Sequence, residues 1–439
     1  MQTPTKNNIA GYSIGRQVDL AIGLGPTATV ATQWYAVKDL SPQNNPKVVK
    51  IEDAEGSRTT NSYNVVGVLE HPWSFSGSCD VNKLGLWIYL CAGVETVVQD
   101  GATGAYKHTF SMLNNVILPR FTMFVQAGAE GNKRLINCAV TKLAFSVKDS
   151  DATFTVEGLA TGEDSILNSS TSVSSLICTS MLYQSGSIAL QGSIMRATFS
   201  GSPNLASVKV GDMFVVPSNA TGITNAVNKG NFQIIAIDNT AKTIDYINNT
   251  IYDNTKNETT ITSSALSIAN LAIPTYPTPI SFLLRRHSAV YQAANQAGLA
   301  TATMVGLASF DIEINNNSDY LYEKAESPEP VEILAHNISA SAKFTQTMSY
   351  NTAQNAQLSR ALSANNNAFM FEMQDTNVLL GTSTTYHPLL QVIIPLALGV
   401  GTRKNFGSKD VVTYDWDLNV AEEQSIQIVL QNTTSSYAF

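Results

Sequence analysis

The chain is poor in charge. Only 14% of its 439 residues are Asp, Glu, Lys or Arg, and the net charge is −8. A globular domain ordinarily carries about a quarter, so the polar surface has to be built from Ser, Thr, Asn and Gln. An acidic balance excludes a protein that wraps nucleic acid through a basic face, because phosphate contacts dominate such binding. It is compatible with a surface that guides DNA by repelling it. Cysteine is scarce too. Cys79, Cys91, Cys138 and Cys178 are irregularly spaced and form no CxxC pair. That excludes a zinc ribbon or a disulfide framework and leaves buried free thiols.

Long apolar runs are missing. The longest, Leu389–Gly401, contains a Gln and a Pro and falls short of the roughly 20 residues a bilayer span needs. The start, MQTPTKNNIAGYS, is polar and unlike a secretory leader. A soluble protein made in a cytoplasm, without membrane contact, is expected. Paired histidines are missing as well. His71, His108, His287, His336 and His387 stand alone, with no HxH, HxxxH or HExxH, so spacing proposes no zinc site.

Three motifs fail on context. Gly11–Gly15 reads GYSIG, but a nucleophile elbow needs a strand before it and a helix after it. Gly23–Ala28 reads GLGPTA, but the β-like TVAT that follows supplies no helix N-terminus for a pyrophosphate; a turn is expected. The carboxylates Asp311, Glu313, Asp319, Glu323, Glu326, Glu329 and Glu332 have only Lys324 against them. They read as a solvated acidic face, or as a wall lining an acidic channel. No catalytic, cofactor-binding or metal-ligating residue is nominated, no cofactor is implied, and no enzyme is expected.

What is present is repetition. Val68–Ser78 reads VLEHPWSFSGS and Ile333–Lys343 reads ILAHNISASAK; at one offset, 71 to 336, Leu69/Leu334, His71/His336, Ser74/Ser339 and Ser76/Ser341 coincide. A repeated stretch points to a repeated unit, with the two histidines in one shared structural role. The order of elements echoes too. In the first copy come a strand over Gln33–Asp39, a long polar loop over Leu40–Tyr63, and a strand over Asn64–Cys79 with Trp73 and Phe75 on one face. A helix over Val81–Gly93 follows, with Leu84, Trp87, Ile88 and Cys91 on one face, Asp80 capping its start and Gly93 ending it. Strands over Tyr106–Met112 and Ile117–Gln126 lead to a closing hairpin, Val140–Lys148 with Thr153–Leu159. In the second copy come a strand over Phe310–Ile314, a polar loop over Asn315–Pro330, and a strand over Val331–Gln346. A helix over Thr352–Ala364, strands over Ala368–Met373 and Leu389–Leu398, and a hairpin of Asp410–Asn419 with Ser425–Leu430 complete it. Phe145/Trp416 and Val156/Ile428 are the matching hairpin positions. Pro395 fits a strand only at an edge or bulge.

Between the copies the composition changes. Ser193–Asn248 contains short strands with Gly- and Asn-bearing turns and reads as a small β-barrel or sandwich. Arg285–Ala300, with Ala289, Ala293, Ala294 and Ala297, reads as a short helix. The organisation is therefore an N-terminal arm over 1–33, a first unit over 34–164, an inserted small β domain with linkers over 165–285, and a second unit over 286–439. The fold class is mainly β: two duplicated β-sandwich units, each with one flanking helix, plus the insert.

HPWSFSGS leading straight into VNKLGLWIYLCAG, YKHTFSM before LPRFTMFV, and the hairpin VTKLAFSVKDSDATFTVEGLATG resemble the phage tail tube family, the major tail proteins of long-tailed phages. VVTYDWDLNV and SIQIVLQN near the end look like their counterparts, and the insert's VGDMFVV and NKGNFQIIAI are similar to modules found within such proteins. The resemblance implies a structural virion protein: a β-sandwich whose strands join those of neighbours into a barrel, stacked in rings as a hollow tube for DNA. A fused pair of units resembles the siphophage form, a homotrimeric ring with pseudo-sixfold symmetry on a non-contractile tail. Its implied partners are itself, the tape measure, tip and terminator proteins, and DNA passing without specific binding. The two long loops would bridge to adjacent subunits or rings, and the insert would project outward. Other readings are the tube of a contractile tail or secretion-type injection system, and a tail-associated glycan-binding or glycan-cleaving β-protein.

Overall fold

A computed structural model describes residues 19–438, apart from short stretches of which 54–60, 272–278 and 348–366 are the longest. The GYSIG glycines and the helix expected over Thr352–Ala364 lie outside the described residues. The protein is mainly β, and its strands pair antiparallel.

Five strands precede the helix: β1 (Asp19–Leu24), β2 (Gln33–Tyr35), β3 (Asp39–Pro42), β4 (Asn45–Asp53) and β5 (Asn61–Ser78). The helix α1 (Val81–Ala92) leads to β6 (Glu95–Gln99), β7 (Tyr106–Ser111), β8 (Phe121–Gln126), β9 (Asn132–Lys148), β10 (Asp151–Ala160) and β11 (Gly162–Asp164). A separate sheet holds β12 (Ser169–Leu176), β13 (Cys178–Ser187), β14 (Gly192–Phe199), β15 (Met213–Val216), β16 (Gly230–Asp238), β17 (Thr243–Asn248) and β18 (Leu266–Leu271). Then come β19 (Ser288–Ala293), β20 (Met304–Val305), β21 (Leu307–Asn315), β22 (Asp319–Leu321) and β23 (Glu332–Leu334). The last are β24 (Ser339–Thr347), β25 (Asn367–Gln374), β26 (Leu389–Phe406), β27 (Val412–Val420) and β28 (Gln427–Asn432).

In the first part of the chain β2 pairs with β1, β1 with β8, and β8 with the start of β9, which β11 also joins. The rest of β9 pairs with β10, β10 with β5 and β5 with β3. In the last part β20 pairs with β19, β19 with β25, and β25 with the start of β26, which β28 also joins. The rest of β26 pairs with β27, β27 with β24 and β24 with β21. β9 and β21 pair with each other. The order β3–β5–β10–β9–β21–β24–β27–β26 is thus one unbroken run.

Local chemistry explains the anchoring elements. Asp80 accepts the Asn82 N–H at 3.0 Å and starts α1; Gly93, at φ 78°, ends it with its N–H on Tyr89 O. A left-handed residue in that place suits glycine. The helix is apolar nearly all round, so it is enclosed rather than laid on a surface; Leu84, Trp87, Ile88 and Leu90 are fully buried. β10 alternates strictly, with Phe154 and Val156 inward. Trp73, Phe75, Trp87 and Phe121 pack with ring centroids 4.5–6.3 Å apart; Trp73 and Phe75 stack, and the other pairs are tilted or edge-on, geometries that their quadrupoles favour over a face-to-face sandwich. One buried cluster runs from Trp73 and Leu143 through Ile312, Phe371 and Trp416 to Ile428. The β12–β18 sheet curls round its own cluster, built on Phe214, Ile234 and Tyr246.

Several expectations are corrected. Part of the expected arm is structural: Leu20, Ala21 and Ile22 of β1 are buried between β2 and β8. The loop over Leu40–Tyr63 is largely a hairpin of β4 with the first half of β5. The loop over Asn315–Pro330 contains β22, which pairs with β23 and packs on the chain's own first part rather than reaching only to other subunits. Val331–Gln346 is not one strand; it breaks between Leu334 and Ser339. Arg285–Ala300 is a 3-10 turn at Arg285–His287, strand β19, and a 3-10 turn beginning at Gln296; pairing with β25 outweighs the helical preference of alanine. β27 and β28 do not pair with each other. β27 forms its hairpin with β26, while β28 lies between β26 and β7. Pro395 falls where β26 passes from β25 and β28 to β27, at a break in the ladder.

Candidate assembly surface

The residues that could have carried chemistry are dispersed. All four cysteines are buried and free; burial pushes the Cys91 and Cys178 thiols up to about 12, which leaves them unreactive. His71 meets Glu329 and His108 meets Glu95. His287 lies near Asp375, His336 near Asp319, and His387 Nδ1 sits 2.7 Å from Val378 O. Among the described residues no group of three His, Cys, Asp or Glu side chains could hold a metal. GLGPTA is a turn: Gly25 has φ 96°, and Thr122 Oγ1 donates to its carbonyl at 2.9 Å. Of the acidic stretch, Asp311 and Glu313 stand on β21, Asp319, Glu329 and Glu332 belong to the β22–β23 strap, and Glu323 and Glu326 lie outside the described residues.

What is organised is the outer face of the eight-strand run. Inward positions on β9 are Leu143, Phe145 and Val147; Lys142, Ser146 and Lys148 alternate with them on the opposite face. On that face Lys142 bridges Glu157 at 3.4 Å and Glu313 at 3.0 Å, spanning β10, β9 and β21. Burial works against its ammonium, but the two carboxylates outweigh this and raise its pKa. Ser146 Oγ donates to Asp311 Oδ1 at 2.5 Å, and Lys148 lies 3.3 Å from Asp311 Oδ2. Further along, Lys343 meets Asp417 at 3.3 Å and Thr345 donates to Asp415 at 2.8 Å. At the other end Ser76 donates to Asp39 at 3.3 Å. Each of these lysines is held by a carboxylate, and carboxylates outnumber them. Asp415 and Asp417 stand on this face, opposite the buried Trp416, as their alternation predicts.

The joint between β9 and β21 is heavily fastened. Six residue pairs run from Phe310/Val147 to Asn315/Lys142. Beyond them Asn316 is buried; its side-chain amide donates to Cys91 O and Val140 O, both at 3.1 Å, and its N–H donates to Thr141 O at 2.7 Å. Asn316 therefore ties the end of α1 and the middle of β9 to β21. The β22–β23 strap then crosses the start of the part of β5 that pairs with β10 and β3. Tyr320 Oη accepts the His71 N–H at 2.8 Å, Tyr322 donates to Leu69 O at 3.2 Å, and Leu69 N–H donates to Pro328 O at 2.9 Å. Glu329 Oε2 lies 2.5 Å from His71 Nε2, and Arg120 donates to Ile333 O. His71 and His336 do not share surroundings: the first side chain is 1% exposed, the second 51%.

The two edges of the run are β3 and the last part of β26. Among the described residues β3 pairs only with β5, and beyond Ala397 β26 pairs only with β27. Sequence reasoning missed Asn316, whose only signal is the run of asparagines closing FDIEINNN. It also missed the C-terminal lock. There His108 lies between Glu95 Oε1 (2.7 Å) and Asn432 Oδ1 (3.0 Å), and Tyr437 packs against His108 and Phe110.

No family model matches the chain, and no curated protein matches it. No helix of the described residues is long and apolar enough to cross a membrane.

Proposed function

We propose that the chain is the structural subunit of a phage tail tube, a virion protein without enzymatic activity whose wall is built from two copies of one unit. The observation that carries this reading is the pairing scheme. Two sets of seven strand pairings run in step, β1–β2–β3–β5–β8–β9–β10–β11 against β19–β20–β21–β24–β25–β26–β27–β28. In this reading the hairpin β9–β10 corresponds to β26–β27, and β11 to β28. The chain's own β9–β21 joint then has the same partners as a joint between β26 of one copy and β3 of the next. Closing that second joint satisfies both exposed edges, which a lone sheet would leave as aggregation sites. Three copies complete a homotrimeric ring with pseudo-sixfold symmetry, and rings stack into the tube of a long non-contractile tail. Barrels of about 16–18 strands already enclose an aqueous channel, and three eight-strand runs make a wider one.

The outer face of the run, polar and net acidic, lines the lumen through which DNA passes without specific binding. The β12–β18 sheet is the insert, projecting outward. The tape measure, tip and terminator proteins are the other partners, in particles assembled in the bacterial host cytoplasm. Averaged electron micrographs of the protein co-expressed with these tail components test the reading. Rings or tubes with three chains per turn of the ring are expected; a chain that stays monomeric at high concentration, alone and with its partners, overturns it.

A further inference from the structure

The chain contains one seat that it fills itself and a matching seat that it leaves empty. The filled one is Leu69–His71, where the hairpin base meets the wall strand. The strap of the second unit covers it through Tyr320, Tyr322, Pro328 and Glu329, and His71 is sealed from solvent. The matching place is Leu334–His336. Leu69 pairs with Pro46 of β4 as Leu334 pairs with Asp319 of β22, and both stretches lead into the corresponding wall strands β5 and β24. Here Ile333 is buried and Arg120 reaches its carbonyl, but no strap crosses among the described residues: Val331 is 47% exposed, Leu334 40% and His336 51%.

The occupant follows from the order of the run. In the joint between β9 and β21, the element that covers the first unit is the excursion leaving the joining strand, from β21 out through β22 and back through β23 to β24. In a joint between β26 and the next copy's β3, the joining strand is β3. Its excursion is β4 and the first half of β5, Asn45–Leu69, a hairpin whose base, Leu69, is held by the chain's own strap and whose Val48 is exposed. Its Lys47, which pairs with Glu70 within the chain, would there face a seat carrying Asp319 and Glu332. We infer that the Asn45–Leu69 hairpin of one copy lies over Val331–His336 of its neighbour in the ring, as the β22–β23 strap lies over Leu69–His71 within the chain. This rests on the ring-forming reading above, and it assigns the two long excursions different roles: one fastens the chain internally, the other fastens neighbours.

The test is site-directed photo-crosslinking in assembled rings. Benzoylphenylalanine is placed at Leu334, an exposed position, in the full chain, and labelled with ¹⁵N; an equal amount of unlabelled wild-type chain is co-assembled, and crosslinked peptides are mapped by mass spectrometry. Mixed-isotope crosslinks from position 334 to peptides within 45–69 are expected. Rings whose crosslinks go elsewhere, or that give none, overturn this inference and leave the tube reading standing. A protein that forms no rings overturns both. In parallel, Leu334→Asp is expected to lower ring yield at least tenfold with the monomer's melting temperature unchanged; normal ring yield counts against the seat.

Discussion

At the scale of single residues the wall is tight where backbones approach. Gly158 on β10 sits where an added Cβ would meet Trp73 Cζ2 at 2.0 Å and Ala139 O at 2.3 Å, beside a register shift in the β9–β10 ladder. Overpacking of this kind costs about 1–3 kcal/mol, so Gly158→Ala is expected to lower the unfolding free energy by that much, read as a lower urea midpoint; an unchanged midpoint would show that Trp73 can move. Glu95 makes a pH prediction. Burial alone would raise its carboxyl, but hydrogen bonds from His108, Tyr437 N–H, Ala438 N–H and Ser436 outweigh burial and hold it below the usual range. A depressed carboxyl contributes stability that is complete above the unfolded value of about 4.3 and is lost as pH falls through the folded value. Hydrogen-exchange protection at Tyr437 and Ala438, corrected for the intrinsic rate at each pH, is therefore expected to fall on acidification before that of Leu90 in α1. Glu95→Gln should release the same tail at neutral pH.

At the scale of elements, what was legible was local. The signals for α1 lie within its own span: Asp80, Gly93 and an apolar repeat. The same holds for the β9–β10 hairpin, whose strands are adjacent in sequence. What was not legible depended on distant partners. The alanines of β19 read as helix because the competing term is its ladder with β25, some eighty residues away. β27 and β28 read as a hairpin because they are adjacent, yet each finds a better partner in β26. The proposed match, β9–β10 with β26–β27, rests on pairing and is invisible to residue identity. Asn316 is the sharpest case, since an asparagine in an asparagine run gains its role only when β21 meets β9. Asn316→Ala would strand two buried carbonyls, Cys91 O and Val140 O. Leaving a buried group unsatisfied costs about 1–3 kcal/mol, so a loss in that range is expected in urea unfolding, with α1 losing hydrogen-exchange protection near Cys91. A surface-like loss below about 0.5 kcal/mol would show that water replaces the amide.

At the scale of the whole molecule the question is why a protein of such low charge places so much of it on one face. Along the outer face of the run, Lys142 is held by Glu157 and Glu313, Lys148 by Asp311 and Lys343 by Asp417. Exposed pairs such as these stabilise little, so stability alone does not account for the arrangement. In the proposed tube, its effect on a polyanion would. A free lysine would release counterions from DNA and hold it, whereas a lysine already paired, in a net acidic field repeated round the proposed ring, would give a phosphate nothing to replace. Wild-type tubes are therefore expected not to retain duplex DNA at about 0.15 M salt, where surface fields reach roughly 8 Å. Converting Asp311, Glu313, Asp415 and Asp417 to Lys frees Lys148 and Lys343, leaves Lys142 with Glu157 alone, and reverses the sign of the face. Each phosphate contact adds about 0.9 to the slope of log affinity against log salt, so even four contacts make binding fall with roughly the fourth power of salt. Filter retention of labelled duplex on purified tubes, titrated from low to high salt, measures this directly. Salt-dependent retention by the variant alone is the expected result. Wild-type tubes that retain duplex with a comparable slope would place a different face toward the DNA.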